Sequence, residues 1–244
     1  ESATPDSPQF CVIVPTRGRV PLVGKLAESL ERAIERYSTA VEVILVDDSK
    51  EVDSAELQEL CKRYRFRYCR GPRNVREKRN LGVSQAKAEY VLFVDSDCEV
   101  TADVFSRHAD AYTTSDVAAA QGVTEPRGDV NWVIKVVERS QFVDAFSWSR
   151  DLHGKIQSVA WATLTNFSIR REIFLTLSGF DTSLPFHLGG DDVDLGIRIN
   201  AAGHRIALIP ETLAFHSRST WSNPFAVTRR IVRWGRVDYH VLYL

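Results

Sequence analysis

Apolar positions along this chain follow two periods, and the way the periods alternate predicts the fold. Cys11-Val12-Ile13-Val14 and Tyr90-Val91-Leu92-Phe93-Val94 are unbroken apolar runs, and residues 41–46 form a third, interrupted only by Glu42. Such β-branched and aromatic runs read as strands covered on both faces, as in a parallel sheet. Between them the spacing turns helical. Leu22, Leu26, Leu30, Ala33, Ile34 and Tyr37 mark one face of a helix with Pro21 in its first turn, and Leu57, Leu60, Cys61 and Tyr64 mark a second. Residues 65–69 alternate Phe66 and Tyr68 inward with Arg65 and Arg67 outward, the pattern of an edge strand whose charges discourage pairing with other molecules. Asn74 is placed to cap a helix running to about residue 86. Strands alternating with helices at this spacing predict an α/β domain with a mostly parallel, doubly wound central sheet flanked by helices.

The second half is less regular. Residues 103–112 read as helix, 117–125 as extended, and 132–146 as a helix with Val133, Val136, Val137, Phe142 and Phe146 on an imperfect apolar face. A strand is expected at 158–169, a helix from about Asp192 to residue 202, and short strands at 206–209 and 214–216. An Arg-rich amphipathic helix is expected from about Asn223 to the end, packing on the domain that precedes it.

Chemistry concentrates where the strands stop. The run at 90–94 ends in Asp95-Ser96-Asp97, and on an extended backbone both carboxylates point the same way. Two hard oxygen ligands on one face suit Mg²⁺ or Mn²⁺, and the alternative is a pair of turn-forming aspartates. Pro15-Thr16 and Asp47-Asp48 also fall at strand ends, so three polar clusters converge on the crevice where doubly wound sheets bind ligands. Neither Gly-x-Gly-x-x-Gly nor Gly-Lys-Ser/Thr follows the first strand, so a phosphate there would be met through a metal. A second acidic cluster, Gly189-Gly190-Asp191-Asp192, opens a helix. Capping and the helix dipole account for one of its aspartates but not for two beside a double glycine. The dipole favours the ionised form of Asp192 while Asp191 and Asp194 repel it. Asp194 and Arg198, four apart, read as a structural pair.

Composition narrows the setting. At 244 residues and 44% hydrophobic, the chain supports one substantial core and a single compact domain preceded by a tail over 1–9. A net charge of -1 provides no global field toward nucleic acid or membrane. Locally, nine basic residues face one acid, Glu77, between Lys62 and Arg79, with aromatics interleaved. An RNA-binding surface competes there with a solvated edge followed by a charged helix; the second is preferred, and no nucleic-acid partner is expected. The four cysteines have no pairing or ligand spacing and read as reduced thiols of a cytoplasmic protein. No run approaches the ~18 apolar residues of a membrane span. Peripheral contact with a membrane stays open.

Val14-Pro15-Thr16, Val46-Asp47-Asp48-Ser49, Arg79-Asn80-Leu81-Gly82, Val94-Asp95-Ser96-Asp97, Asn166-Phe167-Ser168-Ile169-Arg170-Arg171, Gly179-Phe180-Asp181 and Gly190-Asp191-Asp192-Val193-Asp194-Leu195 resemble the ordered motifs of family 2 nucleotide-sugar glycosyltransferases. The resemblance runs from Phe10 to about Arg218. It implies a single GT-A-like domain over 10–222, a divalent metal (Mn or Mg), a nucleotide-diphosphate-sugar donor, and inverting transfer to an acceptor hydroxyl or other nucleophile. Residues up to about 100 would serve the donor and 101–222 the acceptor, whose chemistry is unspecified. On the matching positions, Pro15, Thr16, Arg17 and Asp48 would hold the nucleoside, Arg79 the base or diphosphate, Asp95 with Ser96 the ribose or metal, and Asp97 the metal. Asp192 would be the catalytic base, beside Asp191 where the family usually has Glu. His216 would complete the metal site or be an ordinary buried histidine, and Trp161, His187, Gly190 and Trp221 would line the acceptor site. Two other readings compete: a nucleotidyltransferase or pyrophosphorylase, whose glycine-rich basic loop is missing here, and a non-catalytic nucleotide- or RNA-binding module, which would not need Gly189-Gly190-Asp191-Asp192.

Overall fold

The computed structural model describes residues 8–139, 154–155, 158–161, 163–185, 189–221 and 223–243. Its first half follows the predicted order: β1 (Phe10–Thr16), α1 (Val20–Arg36), β2 (Val41–Asp47), α2 (Glu51–Tyr64), β3 (Arg67–Arg70), α3 (Val75–Gln85) and β4 (Tyr90–Phe93). Alternation along β1 explains why this layer is covered on both sides. Phe10, Val12 and Val14 join the core under α1 and α2, whereas Cys11 and Ile13 join the core that includes Val83 and Ala86 at the end of α3. Arg65, expected in a strand, instead closes α2 in the left-handed region with φ of 57°, so β3 starts two residues later. The edge position is as expected, with Phe66 and Tyr68 half-buried.

After β4 come β5 (Cys98–Val100), α4 (Val104–Asp110), β6 (Val117–Arg127), α5 (Trp132–Glu138), β7 (Phe167–Arg170), α6 (Arg171–Thr176), α7 (Asp191–Ala201), β8 (Arg205–Ser217) and α8 (Pro224–Tyr243). Among the described residues the strands form one sheet in the order β3-β2-β1-β4-β7-β6-β8-β5. The pairings β1·β2, β1·β4, β2·β3 and β6·β8 are parallel, and β4·β7, β6·β7 and β5·β8 are antiparallel. The parallel layer is therefore continued into a mixed sheet. The chain leaves β1 toward β2 and β3 on one side and returns to β4 on the other, so the switch in strand order lies between β1 and β4. Thr16 and Asp95 stand at that switch.

Two expectations for the second half need correction, and one short strand was not expected. Among the described residues of the stretch 158–169, those before Phe167 are not strand, and the pairing is confined to Phe167–Arg170. Upstream, Asn200 on α7 donates to Val159 O at 3.0 Å and Gln121 accepts the Thr163 N–H at 3.0 Å, so side chains take the backbone groups that a ladder would have used. The strands expected at 206–209 and 214–216 are one strand, β8, in which Ile209 pairs Gly122 but Thr212 pairs Val123. The slip falls at Pro210 and Glu211, where a proline without an N–H costs no ladder bond. Finally, β5 follows Asp97 at once, and three residues were too few to register as a period. The helix expected at 132–146 is present over Trp132–Glu138; residues 140–146 lie outside the described residues.

Candidate functional site

The turn after β1 is built from two residues in the left-handed region, Gly18 (φ 64°) and Arg19 (φ 61°). It is tied to the β2 end by the Gly18 N–H, which donates to Ser49 Oγ at 2.5 Å. The adjacent aspartates there have different surroundings. Asp47 is fully buried and accepts hydrogen bonds from Ser49, Ser54, Tyr68 and Arg70. Asp48 faces the crevice, where Lys78 Nζ meets it at 2.5 Å and also donates to Thr16 O at 2.7 Å. Arg17 stands 3.7 Å from Asp48.

Asp95 and Asp97 reach the same cleft through a turn rather than along an extended strand, with the Cys98 N–H donating to Asp95 O at 3.0 Å. Arg79 Nη2 donates to Asp95 at 3.0 Å and Nη1 to Asp191 at 2.5 Å, joining the two acidic clusters. Its Nε is buried and has no hydrogen-bond partner among the described residues. Burial pushes the Asp95 carboxyl above its ordinary range; Arg79 opposes this and Asp97 reinforces it. Asp97 is buried, and its Oδ1 lies 3.5 Å from His216 Nε2. The β5·β8 register sets Cys98 opposite His216, and one ligand atom each from Asp97, Cys98 and His216 fall within 4.8 Å of one another. Burial first, and then the two aspartates, push the Cys98 thiol far up, so it stays neutral and unsuited to a hard cation. Asp97 and His216, with Asp95 beside them, form an oxygen and nitrogen set that fits Mn²⁺ or Mg²⁺.

Across the cleft, Gly190 (φ 72°) starts α7, and Asp191 and Asp192 occupy its first turn. The double glycine is there for contact. A Cβ on Gly189 would strike Trp234, and one on Gly190 would strike Val237, so the two glycines let α8 press directly on this loop. From below, Arg76 Nη2 donates to Gly189 O at 2.6 Å. Asp192 is half-buried, and its pKa is pushed up to about 7, by burial first and then by Asp191 and Asp238. Burial, reinforced by the two neighbouring carboxylates, thus outweighs the helix dipole. Trp161 is placed by its backbone, which lies against Gly196 of α7. Trp221 packs on Trp234 with centroids 5.7 Å apart, and Arg230 lies 4.6 Å over the Trp221 ring. One cleft of about 500 Å³ is lined by every candidate residue except His187, which lies outside the described residues.

A family model described as "Glycosyl transferase family 2" matches residues 11–177. The chain belongs to this family. It is 28% identical over 251 residues to the O-antigen biosynthesis protein RfbC of Myxococcus xanthus, a match covering 97% of this chain and 19% of RfbC. It is 27% identical over 243 residues to an N-acetylglucosaminyltransferase of Rhizobium leguminosarum bv. viciae, covering 95% of this chain and 56% of that protein. The chain therefore spans only part of the length of either relative. The mannosyltransferase PcManGT from Pyrobaculum calidifontis, solved in complex with GDP-Man and Mn²⁺, aligns with a TM-score of 0.68 at 19% identity, covering 97% of this chain and 65% of that one. The fold of this family 2 chain is accordingly that of the GT-A glycosyltransferases.

Arg19, Lys78, Arg230, Trp234 and Asp238 are among the cleft residues of this family 2 chain that were not anticipated. The last three recur every four residues along α8, and that spacing was the available signal. The basic stretch at 62–79 is divided: Lys62, Arg63, Arg65, Arg67, Arg70 and Arg73 are exposed, whereas Arg76, Lys78 and Arg79 are buried. Arg70 pairs with Asp47, Arg76 with backbone carbonyls, Lys78 with Asp48, and Arg79 with both acidic clusters. Arg198 binds Asp194 at 2.5 Å, and also Leu177 O and Gly179 O, in keeping with a structural role. No helix among the described residues is long and apolar enough to cross a membrane.

Proposed function

We propose that the chain moves a sugar from a nucleotide-diphosphate donor to an acceptor hydroxyl or other nucleophile, with inversion, and that Asp192 is the general base. The observation that carries this reading is the pairing of two acidic clusters across one cleft, joined by Arg79, with a carboxyl tuned to about 7 in the cluster away from the metal ligands. A base poised near neutrality takes the acceptor proton most effectively. The acceptor oxygen bonds to the anomeric carbon, its proton passes to Asp192, and the bond to the diphosphate breaks with its electron pair leaving on the diphosphate. Asp97, His216 and Asp95 would hold Mn²⁺ or Mg²⁺, which when bound would supply neutralisation of that leaving group; the GDP-Man and Mn²⁺ of the PcManGT complex support both donor class and metal.

Thr16, Pro15, Arg17 and Asp48 hold the nucleoside, Ser96 and Asp95 the ribose, and Arg79 the diphosphate side. Trp161, Gly190 and Trp221 line the acceptor side, with Asp191 keeping Arg79 in place. Residues up to about 100 serve the donor, 101–222 the acceptor, and 223–244 form the helix that closes the base loop. Four free cysteines support a reducing, cytoplasmic setting.

A thermal-shift panel of UDP- and GDP-sugars with Mn²⁺ tests the donor and metal together. At least one nucleotide-sugar should raise the melting temperature only with the metal, and the shift should vanish with EDTA or in Asp97→Asn. Binding that survives both treatments would remove the metal from the assignment.

A further inference from the structure

Arg19 is the cleft residue whose placement calls for an explanation. Its Nη1 donates to Asp97 Oδ2 at 2.8 Å, while the other oxygen of that carboxylate faces His216. Asp97 cannot move away. Its side chain is 4% exposed, and the Ser217 N–H donates to its backbone carbonyl at 2.8 Å. Arg19 can, because its side chain is 40% exposed and hangs from a left-handed turn at the mouth of the cleft. A buried carboxylate beside a second one needs a countercharge, and Arg79 is already shared between Asp95 and Asp191. Arg230 enters the same corner from α8: burial disfavours its charge, Arg19 adds to that, and Asp97 and Asp95 oppose it. Asp95, Asp97 and Asp191 are therefore balanced by Arg19, Arg79 and Arg230. A dication added at Asp97 leaves a double positive excess, equal in size and opposite in sign to the charge of a nucleotide-sugar diphosphate.

We propose that Arg19 is the resident counter-ion of the metal site: it holds Asp97 when no divalent cation is bound, is released when one takes that carboxylate, and then pairs with the donor's diphosphate. This rests on the metal-dependent reading above. It makes Arg19 a competitor of the cation and a partner of the nucleotide, two roles with opposite signs. A brace that merely tied the turn after β1 to Asp97 would support both ligands alike.

Arg19→Asn is the informative variant, because Asn removes the charge yet tolerates the left-handed backbone; Arg19→Lys keeps the charge. Mn²⁺ affinity is measured first, by calorimetry without nucleotide, and then the affinities of UDP and GDP at saturating Mn²⁺. Arg19→Asn should bind Mn²⁺ ~10-fold more tightly and the better of the two nucleotides ~10-fold more weakly, with Arg19→Lys moving both back toward wild type. If wild type binds Mn²⁺ and Arg19→Asn shows equal or weaker metal affinity, Arg19 is a structural brace and the proposal falls. If neither protein binds Mn²⁺, the metal reading falls with it, whereas binding by the variant alone supports the competition.

Discussion

At the scale of single residues, Asp192 is where sequence and structure differ most in consequence. The sequence left dipole and repulsion opposed; the fold decides against the ionised form, chiefly by burial and then by Asp191 and Asp238. With the pKa near 7, kcat/KM should rise with pH through about 7 as the base loses its proton. Asp192→Asn should cost ~10²–10⁴-fold in turnover, while leaving the Mn²⁺-dependent thermal shift by the donor intact. Asp238→Asn removes one of the two repelling carboxylates, so the rising limb should move to lower pH; an unmoved limb would take Asp238 out of the base's surroundings. The motif aspartates were legible because each combines a residue type with a strand or helix end. Arg19 was not. Among 31 basic residues spread along the chain, an arginine carries no positional signal until the fold shows what it faces.

At the scale of elements, the contact between α7 and α8 governs the site, and it was only half legible. Two glycines before two acids announced a special loop, and the four-residue recurrence of Arg230, Trp234 and Asp238 was visible, but nothing local linked them. Gly190→Ala should destabilise the protein, since a left-handed Ala costs ~1–2 kcal/mol and overpacking against Val237 adds ~1–3 kcal/mol. Thermal melts should show the loss, and turnover should fall with it because Asp192 follows two residues later. Val237→Ala should recover the overpacking part in a double variant. A double variant melting no higher than Gly190→Ala alone would exclude the clash as the cause. The misread strands have a similar explanation. Residues 158–166 carry strand-like composition, yet side chains of α7 and β6 take their backbone groups, a tertiary fact that no local period records.

At the scale of the whole molecule, hydrophobic period was enough to predict the α/β layer, because β1 to β4 are neighbours joined by helices. The antiparallel continuation was hidden, since β4 pairs with β7 far along the chain. Behind that seam lies a buried polar node. His108 of α4 holds Ser168 of β7 through Nδ1 at 2.7 Å and Asn166 through Nε2 at 2.8 Å, and Asn166 donates onward to Val123 of β6 at 3.1 Å. Burial lowers the His108 pKa from 6.5 to about 4, so the imidazole stays neutral in the fold, while the unfolded chain takes up a proton. Stability from this group is therefore present above pH 6.5 and lost as pH falls toward 4. Asp192 has the opposite sign. Its folded pKa is raised from 3.8 to about 7, so its contribution is present below 3.8 and lost as pH rises through 7. The two windows overlap and partly cancel, and variants separate them. Melting temperature against pH should fall less steeply between 6.5 and 4 in His108→Gln than in wild type, even though the variant is less stable throughout. Asp192→Asn should melt progressively higher than wild type as pH rises from 4 to 8. Parallel curves for wild type and His108→Gln would mean that the node contributes packing and hydrogen bonds but no proton linkage.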